Sequence, residues 1–465
     1  MTKVKQEIAK DIHFIFDEVR RFRNMGKAVF KEIEIIDVLC TLPHPSGTGR
    51  MLCGQAAHSK VAAIARKAAE KANIIDCITS HTLRKAAEVQ LVQRFYVNQR
   101  PVNERQIDKL FSAITSEVEK TCSDKTQFVP CLLMTAKQPN SFVIGPVTFR
   151  NSHSFWRRVR PYLHNYAQGE DPEQREHMRS MVADAVKHYR NFNWIAEITV
   201  SGCDRDTSAQ VAERTTQSAV NALHLIFRAR YKGQMRVSGP VLKTDRRAGL
   251  TLKPSGSLQP HGSIYWGGAA GFPRDWSKWL ETDHVANIVK LFGTALQTEV
   301  NPRLKRPVSR RFLDAARWFG EATIDERPSS ALIKFVTALE RLVMTGEKNE
   351  ISNHVADRVS ALCCSIKDGD RDQWRQNVVD VYDMRSRILH GATSPFDKAI
   401  VSAIPTAAKL GEECIVHAIQ LLGNDALEAE RVTVKRLRKW YKDVLAHFAN
   451  ASDVIAPEEK SDTTK

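Results

Sequence analysis

The residues best suited to chemistry in this chain are Arg385 and His390. They lie in the decade Tyr382-Asp383-Met384-Arg385-Ser386-Arg387-Ile388-Leu389-His390-Gly391, and no other arginine in the sequence stands five residues before a histidine. A permanent cation can stabilise charge building on phosphorus, and an imidazole can give or take a proton near neutral pH. Together they meet the needs of phosphodiester cleavage by RNA's own 2′-hydroxyl.

The preceding segment must hold that pair in place. Trp374, Val378 and Val381 recur at helical spacing. Gly391 then supplies the residue type that closes helices in a left-handed cap. The pattern predicts a helix over 372–390, with His390 in a last turn where backbone carbonyls favour a cationic side chain.

Composition narrows the partner. Sixty-nine basic side chains against 53 acidic ones leave a formal net charge of +16, which suits a polyanion, most often nucleic acid. Apolar residues make up 42% of the 465, enough for real cores, and the length predicts two or three domains. The nine cysteines include no CxxC pair, which argues against a zinc ribbon or disulfide scaffold and for reduced thiols in the cytoplasm. No His, Cys or carboxylate set has metal-ligand spacing, so neither metal nor cofactor is expected. Met1-Thr2-Lys3-Val4-Lys5-Gln6-Glu7 leads into a charged amphipathic segment rather than a signal core. No apolar run approaches the ~20 residues of a membrane span, so no membrane partner is expected.

The predicted fold class is α+β and mostly helical, in three parts. Residues 1–122 read as mostly helical. The stripes Ile8, Ile12, Ile15, Val19 and Val61, Ala62, Ile64, Ala65, Ala68 flank the loop Pro43-His44-Pro45-Ser46-Gly47-Thr48-Gly49-Arg50. Residues 123–283 form a mixed region that would serve as a sensor or regulatory domain. Strands are expected over 128–134 and 141–149, joined by Gln138-Pro139-Asn140, then helices over 154–164 and 174–189 and a strand over 194–200. An apolar helix with Ala219, Leu223, Ile226 and Phe227 on one face follows, and further strands fall at 249–252 and 263–266. Residues 284–452 read as a helical bundle with a core over 328–422. Its helices fall near 284–298, 309–319, 331–344, 353–365, 372–390, 406–422 and 434–449. Residues 453–465 read as a polar, disordered tail.

Three elements of the bundle occur in a telling order. They are Ala338-Leu339-Glu340-Arg341-Leu342, then Val355-Ala356-Asp357-Arg358-Val359-Ser360-Ala361-Leu362, then the stretch from Val381 to Gly391. Over 328–422 the chain resembles a HEPN domain, most closely the Apea-like HEPN group of bacterial anti-phage proteins. The resemblance implies a metal-independent endoribonuclease acting as a homodimer, with Arg385 and His390 as the catalytic residues of an R-x4-H motif. In such enzymes two motif copies face each other across a two-fold interface. The histidine deprotonates the ribose 2′-hydroxyl and the arginine stabilises the phosphorane, leaving 2′,3′-cyclic phosphate ends. Helix geometry agrees, because residues five apart point about 140° away from each other, so one copy spreads its pair around a corner. The resemblance also implies a toxin-like effector of abortive infection, with a phage-derived or cognate regulatory trigger acting through residues 1–283. Ser386 departs from the asparagine, aspartate or histidine that follows the arginine in many of the wider superfamily, although serine is common in the Apea-like group. The alternative is a HEPN module that binds RNA and dimerises without cutting it.

Other residues take supporting parts. Tyr382 and Asp383, one turn before the motif, suit either the positioning of Arg385, with Ser386 beside it, or a solvated helix face. Glu340 and Arg358 are expected to form a buried ion pair that orders the bundle. Arg387 and the stretch Lys435-Arg436-Leu437-Arg438-Lys439-Trp440-Tyr441-Lys442 are candidates for RNA contact, since the stretch mixes cations with aromatics. The same stretch also suits a solvated face that packs Leu437, Trp440 and Tyr441 inward. Phe155-Trp156-Arg157-Arg158-Val159-Arg160 shares that ambiguity, and Arg303-Leu304-Lys305-Arg306-Pro307-Val308-Ser309-Arg310-Arg311 is a second basic stretch entering the bundle. Ser46-Gly47-Thr48-Gly49-Arg50 lacks the lysine and spacing of a P-loop. Gly267-Gly268-Ala269-Ala270-Gly271 lacks a dinucleotide fingerprint, and His261 near it is isolated. Asp206 or Thr207 is expected to cap the helix after Cys203.

Overall fold

The structure is a computed structural model that describes residues 2–24, 39–166, 172–228, 235–238, 245–252, 254–255, 258–265, 272, 275–364 and 371–453. The chain is mostly α-helical with smaller β-sheets, and it divides into two compact units. Among the described residues no helix is long and apolar enough to cross a membrane.

The first unit comprises Met1–Thr126, Thr199–Val211 and Asn301–Arg303. It contains α1 (Lys3–Asn24), the strands β1 (Leu39–Pro43) and β2 (Arg50–Gly54), and helices α2 (Gln55–Lys71), α3 (Ser80–Leu91) and α4 (Glu104–Glu119). The stripe Ile8, Ile12, Ile15 and Val19 is buried, as are Val61, Ile64, Ala65 and Ala68; Ala62 is exposed instead. The mostly helical expectation missed the hairpin. Its loop is where proline and glycine place it, but the flanks pair antiparallel, with Cys40 opposite Cys53 and Thr41 opposite Leu52. Gly47 and Gly49 hold φ of +81° in the connection, a backbone region that glycine enters without cost. α3 continues directly into a single π-helical turn, Val92–Val97. Asn103 caps α4 by accepting from the Gln106 amide at 3.0 Å.

The second unit comprises Gln127–Ile198, Ala212–Val300 and Leu304–Lys465. Its sheet is drawn from β3 (Ser123–Leu132), β4 (Ser141–Ile144), β5 (Val147–Asn151), β6 (Trp194–Cys203) and β7 (Arg236–Val237), in the order β4-β5-β6-β3-β7. Helices α5 (Ser152–Tyr166) and α6 (Pro172–Tyr189) follow β5, and α7 (Arg205–Phe227) follows β6. The stretch 141–149 is therefore not one strand. Gly145, at φ +54°, turns it into a hairpin with Phe142 opposite Phe149. The two strands expected to flank Gln138-Pro139-Asn140 are not neighbours either, because β5 and β6 lie between β4 and β3. The cap of α7 also differs from expectation. Asp204, rather than Asp206 or Thr207, accepts from the Thr207 amide at 2.8 Å, since its position leaves three backbone N–H groups ahead of it to satisfy. β8 (Asp245–Leu252) and β9 (Leu258–Tyr265) form a separate ribbon. Trp266, Gly267–Gly271, the side chain of His261 and residues 454–465 lie outside the described residues.

After α8 (Ser277–Leu280) the second unit is helical: α9 (Asp283–Val300), α10 (Pro307–Ile324), α11 (Pro328–Val343), α12 (Ile351–Cys364), α13 (Arg371–Leu389), α14 (Lys398–Glu428) and α15 (Val434–Asp453). Prolines open α10 and α11, where no N–H is needed. Aromatic pairs lock the core, Phe292 on Phe312 at 4.8 Å and Phe319 on Phe335 at 5.4 Å. The β4–β5 turn meets α9 backbone to backbone, for a Cβ on Gly145 would fall 2.3 Å from the Gly293 Cα. α14 begins earlier than expected because Asp397 caps it, accepting from the Ala399 amide at 2.9 Å, and it runs through Pro405 to a kink at Gly423.

Candidate active site

α13 is anchored through the face that its sequence spacing marks. Trp374, Val378 and Val381 are buried, and Arg375 Nε donates to Asp357 of α12 at 2.8 Å. The helix then ends in a Schellman arrangement. The Ala392 amide donates to the Arg387 carbonyl at 2.8 Å, and the Gly391 amide donates to the Ile388 carbonyl at 3.2 Å. Gly391 takes φ +73° to make this turn. His390 sits just beyond the last helical residue and is exposed, with its amide donating to the Ser386 carbonyl at 3.0 Å.

Arg385 is positioned from a neighbouring helix. Its Nη2 donates to Oε2 of Glu340 on α11 at 3.3 Å, and the Tyr382 hydroxyl donates to Oε1 of the same carboxylate at 2.9 Å. The guanidinium carbon lies 5.6 Å from the Tyr382 ring centroid. Burial, reinforced by the Glu340 charge, pushes the Tyr382 phenol up to about 12, so it stays a hydrogen-bond donor at neutral pH. Arg385 Nε is buried and donates to no protein acceptor. The arginine is thus oriented at one nitrogen while its remaining donors are uncommitted. Ser386 beside it is half-buried, whereas Asp383 and Arg387 are exposed.

The expected ion pair between Glu340 and Arg358 does not form. Glu340 takes Arg385 and Tyr382, and Arg358 turns to the end of α11. There it donates to the Val343 carbonyl at 2.8 Å and to Glu347 at 2.9 Å, with Tyr441 at 5.0 Å. The cause is electrostatic: a cation only 5% exposed needs both a carboxylate and the free carbonyls that concentrate at a helix C-terminus. Burial works against ionisation of Glu347, but hydrogen bonds from Arg358 and Thr345 override it and hold the carboxyl far below the usual range.

Arg438 joins the same cluster, donating to the Thr345 carbonyl at 3.1 Å and lying 3.3 Å from Glu347. Arg438 is thus tied to the protein although, like Lys435, Arg436 and Lys439, it is exposed. Leu437 and Tyr441 pack inward and Trp440 is half-buried, so this stretch has a core face as well as a cationic one. In the other basic stretches, Arg158 pairs with Glu197 at 2.5 Å and Arg311 donates to the Arg341 carbonyl at 2.9 Å. Sequence reading missed Thr345 and Glu347, whose roles depend on contacts distant in sequence. Among the described residues no group of three or more His, Cys, Asp or Glu is placed to hold a metal ion. The chain matches no protein-family model, no curated protein and no solved structure.

Proposed function

We propose that the helical bundle of residues 284–452, with its core over 328–422, is a HEPN-like, metal-independent endoribonuclease in which Arg385 and His390 act on RNA. The observation that carries this reading is the contact of Glu340 and Tyr382 with Arg385. It joins two motif elements more than forty residues apart around the one cation suited to a phosphorane. His390 removes the 2′-hydroxyl proton, the 2′ oxygen bonds to phosphorus, and the bond to the 5′ oxygen breaks. Arg385 stabilises the equatorial oxygens as charge accumulates. A second His390, from another copy in a homodimer, supplies the proton that the departing 5′ oxygen takes. Exposed Leu389 and Phe396, 50% and 93% accessible, support the dimer, since apolar side chains beside a polar motif gain by being covered. Arg387, Lys435, Arg436 and Lys439 supply positive charge for the RNA backbone. In a bacterial anti-phage setting residues 1–283 would receive the trigger that releases this activity.

The test is incubation of purified protein with total RNA in EDTA, followed by mapping of fragment ends. Cyclic-phosphate ends that disappear in Arg385→Ala and His390→Ala are expected. Equal cleavage by both variants would remove the proposal, and RNA binding without cleavage would favour the non-catalytic module instead.

A further inference from the structure

The first unit carries an open groove of about 750 Å³ lined by Arg94, Glu104, Arg105, Asp108, Lys109 and Ser112. Its acids are already answered. Glu104 accepts from the Thr2 amide at 2.9 Å, and Asp108 accepts from Lys5 at 2.8 Å and Lys71 at 3.0 Å. Its cations are not. Arg105 and Lys109 are exposed one turn apart on α4, with Ser112 next along the same face. Among the described residues neither makes a side-chain hydrogen bond or ion pair. Arg94 projects from the π-helical turn, and its Nε is buried with no acceptor. An isolated π turn gives up regular helix bonding and recurs at functional sites, and here it sets an arginine against the groove.

We propose that this groove binds the phosphates of a nucleotide ligand through Arg94, Arg105 and Lys109, with the Ser112 hydroxyl as a further donor. Guanidinium and ammonium groups without internal partners attract anions, and the guanidinium fork matches phosphate oxygens. The volume lies within the roughly 300–1,000 Å³ usual for small-ligand sites. Among the described residues no aromatic side chain lines the groove, so recognition falls on phosphate rather than on a stacked base. The same chemistry is presented by a free nucleoside triphosphate and by a single strand, and this inference stands independently of the ribonuclease proposal.

The test uses the full chain carrying His390→Ala, so that any cleavage does not consume the probe. Adenosine triphosphate and a short labelled single-stranded RNA are titrated against this parent and against Arg105→Gln/Lys109→Gln. The double variant changes only exposed side chains, and its unchanged melting temperature is checked first. Arg94→Gln serves as an independent variant from a different element of the groove. The expected result is about tenfold weaker binding of at least one probe in both variants. If the strand is the ligand, the double variant also loses about 1.4 from its logarithmic salt slope, at about 0.7 per phosphate contact. Loss confined to the triphosphate identifies a free nucleotide, and loss confined to RNA identifies a strand. Affinities within about twofold of the parent for both probes, or a parent that binds neither, overturn the proposal.

Discussion

Arg358 and Arg385 occupy the same helical bundle and have the same kinds of neighbour, a glutamate and a tyrosine, yet their settings differ. Arg358 is 6% exposed at its side chain and Arg385 22%. The first is committed to a carbonyl, a carboxylate and an aromatic face. The second touches its carboxylate through one nitrogen at 3.3 Å, and Nε is without a protein acceptor in both arginines. Enclosing the cation makes Arg358 a structural fastener, because removing any partner strands a buried charge. Leaving one side open makes Arg385 an oriented group with hydrogen-bonding capacity to spare. Identical residue types are therefore divided between stability and chemistry by how fully the guanidinium is enclosed.

The largest test of that division is Arg358→Ala, which should cost about 3–5 kcal/mol in denaturant unfolding because the Val343 carbonyl loses its donor and Glu347 keeps Arg438 as its remaining cation. A loss below about 1 kcal/mol would erase the contrast. Next comes Arg385→Ala. It should change stability by about 1 kcal/mol or less while lowering RNA cleavage about 100-fold or more, as should His390→Ala. Acid should then separate the two clusters. Glu347 is depressed in the folded state, so its stabilising contribution is fully present above its unfolded value of about 4.3 and is lost as pH falls below that. Melting curves from about pH 5 downward should fall less steeply in Glu347→Gln, whose starting stability is lower. The smallest effect is expected from Tyr382→Phe, about 1 kcal/mol for the hydrogen bond to Glu340. In an ultraviolet titration this variant should lack one phenol that ionises near 12.

What the sequence discloses depends on the range of the interaction. α13 is legible because Trp374, Val378 and Val381 mark its buried face and Gly391 marks its end. The β4–β5 turn is not, since buried residues on both sides of Gly145 and Pro146 continue one apolar run. The partner of Glu340 is beyond sequence periodicity as well. Phase along α11 states that a carboxylate is present, but only the packing of α13 beside it selects Arg385 over Arg358. On α4 the positions of Arg105, Lys109 and Ser112 can be read directly. That Asp108 is paired with Lys5 and Lys71, and Glu104 with the Thr2 amide, follows only from the folded first unit.

The closure of α13 at Gly391 has a geometric consequence. It fixes where the helix stops, so the four residues between Arg385 and His390 act as an angular ruler with a hard end. Each residue added or removed would swing the imidazole by about 100° and shift it by about 1.5 Å along the axis. Neighbouring side chains can tolerate exchange, but the length of this interval cannot drift without re-aiming the histidine.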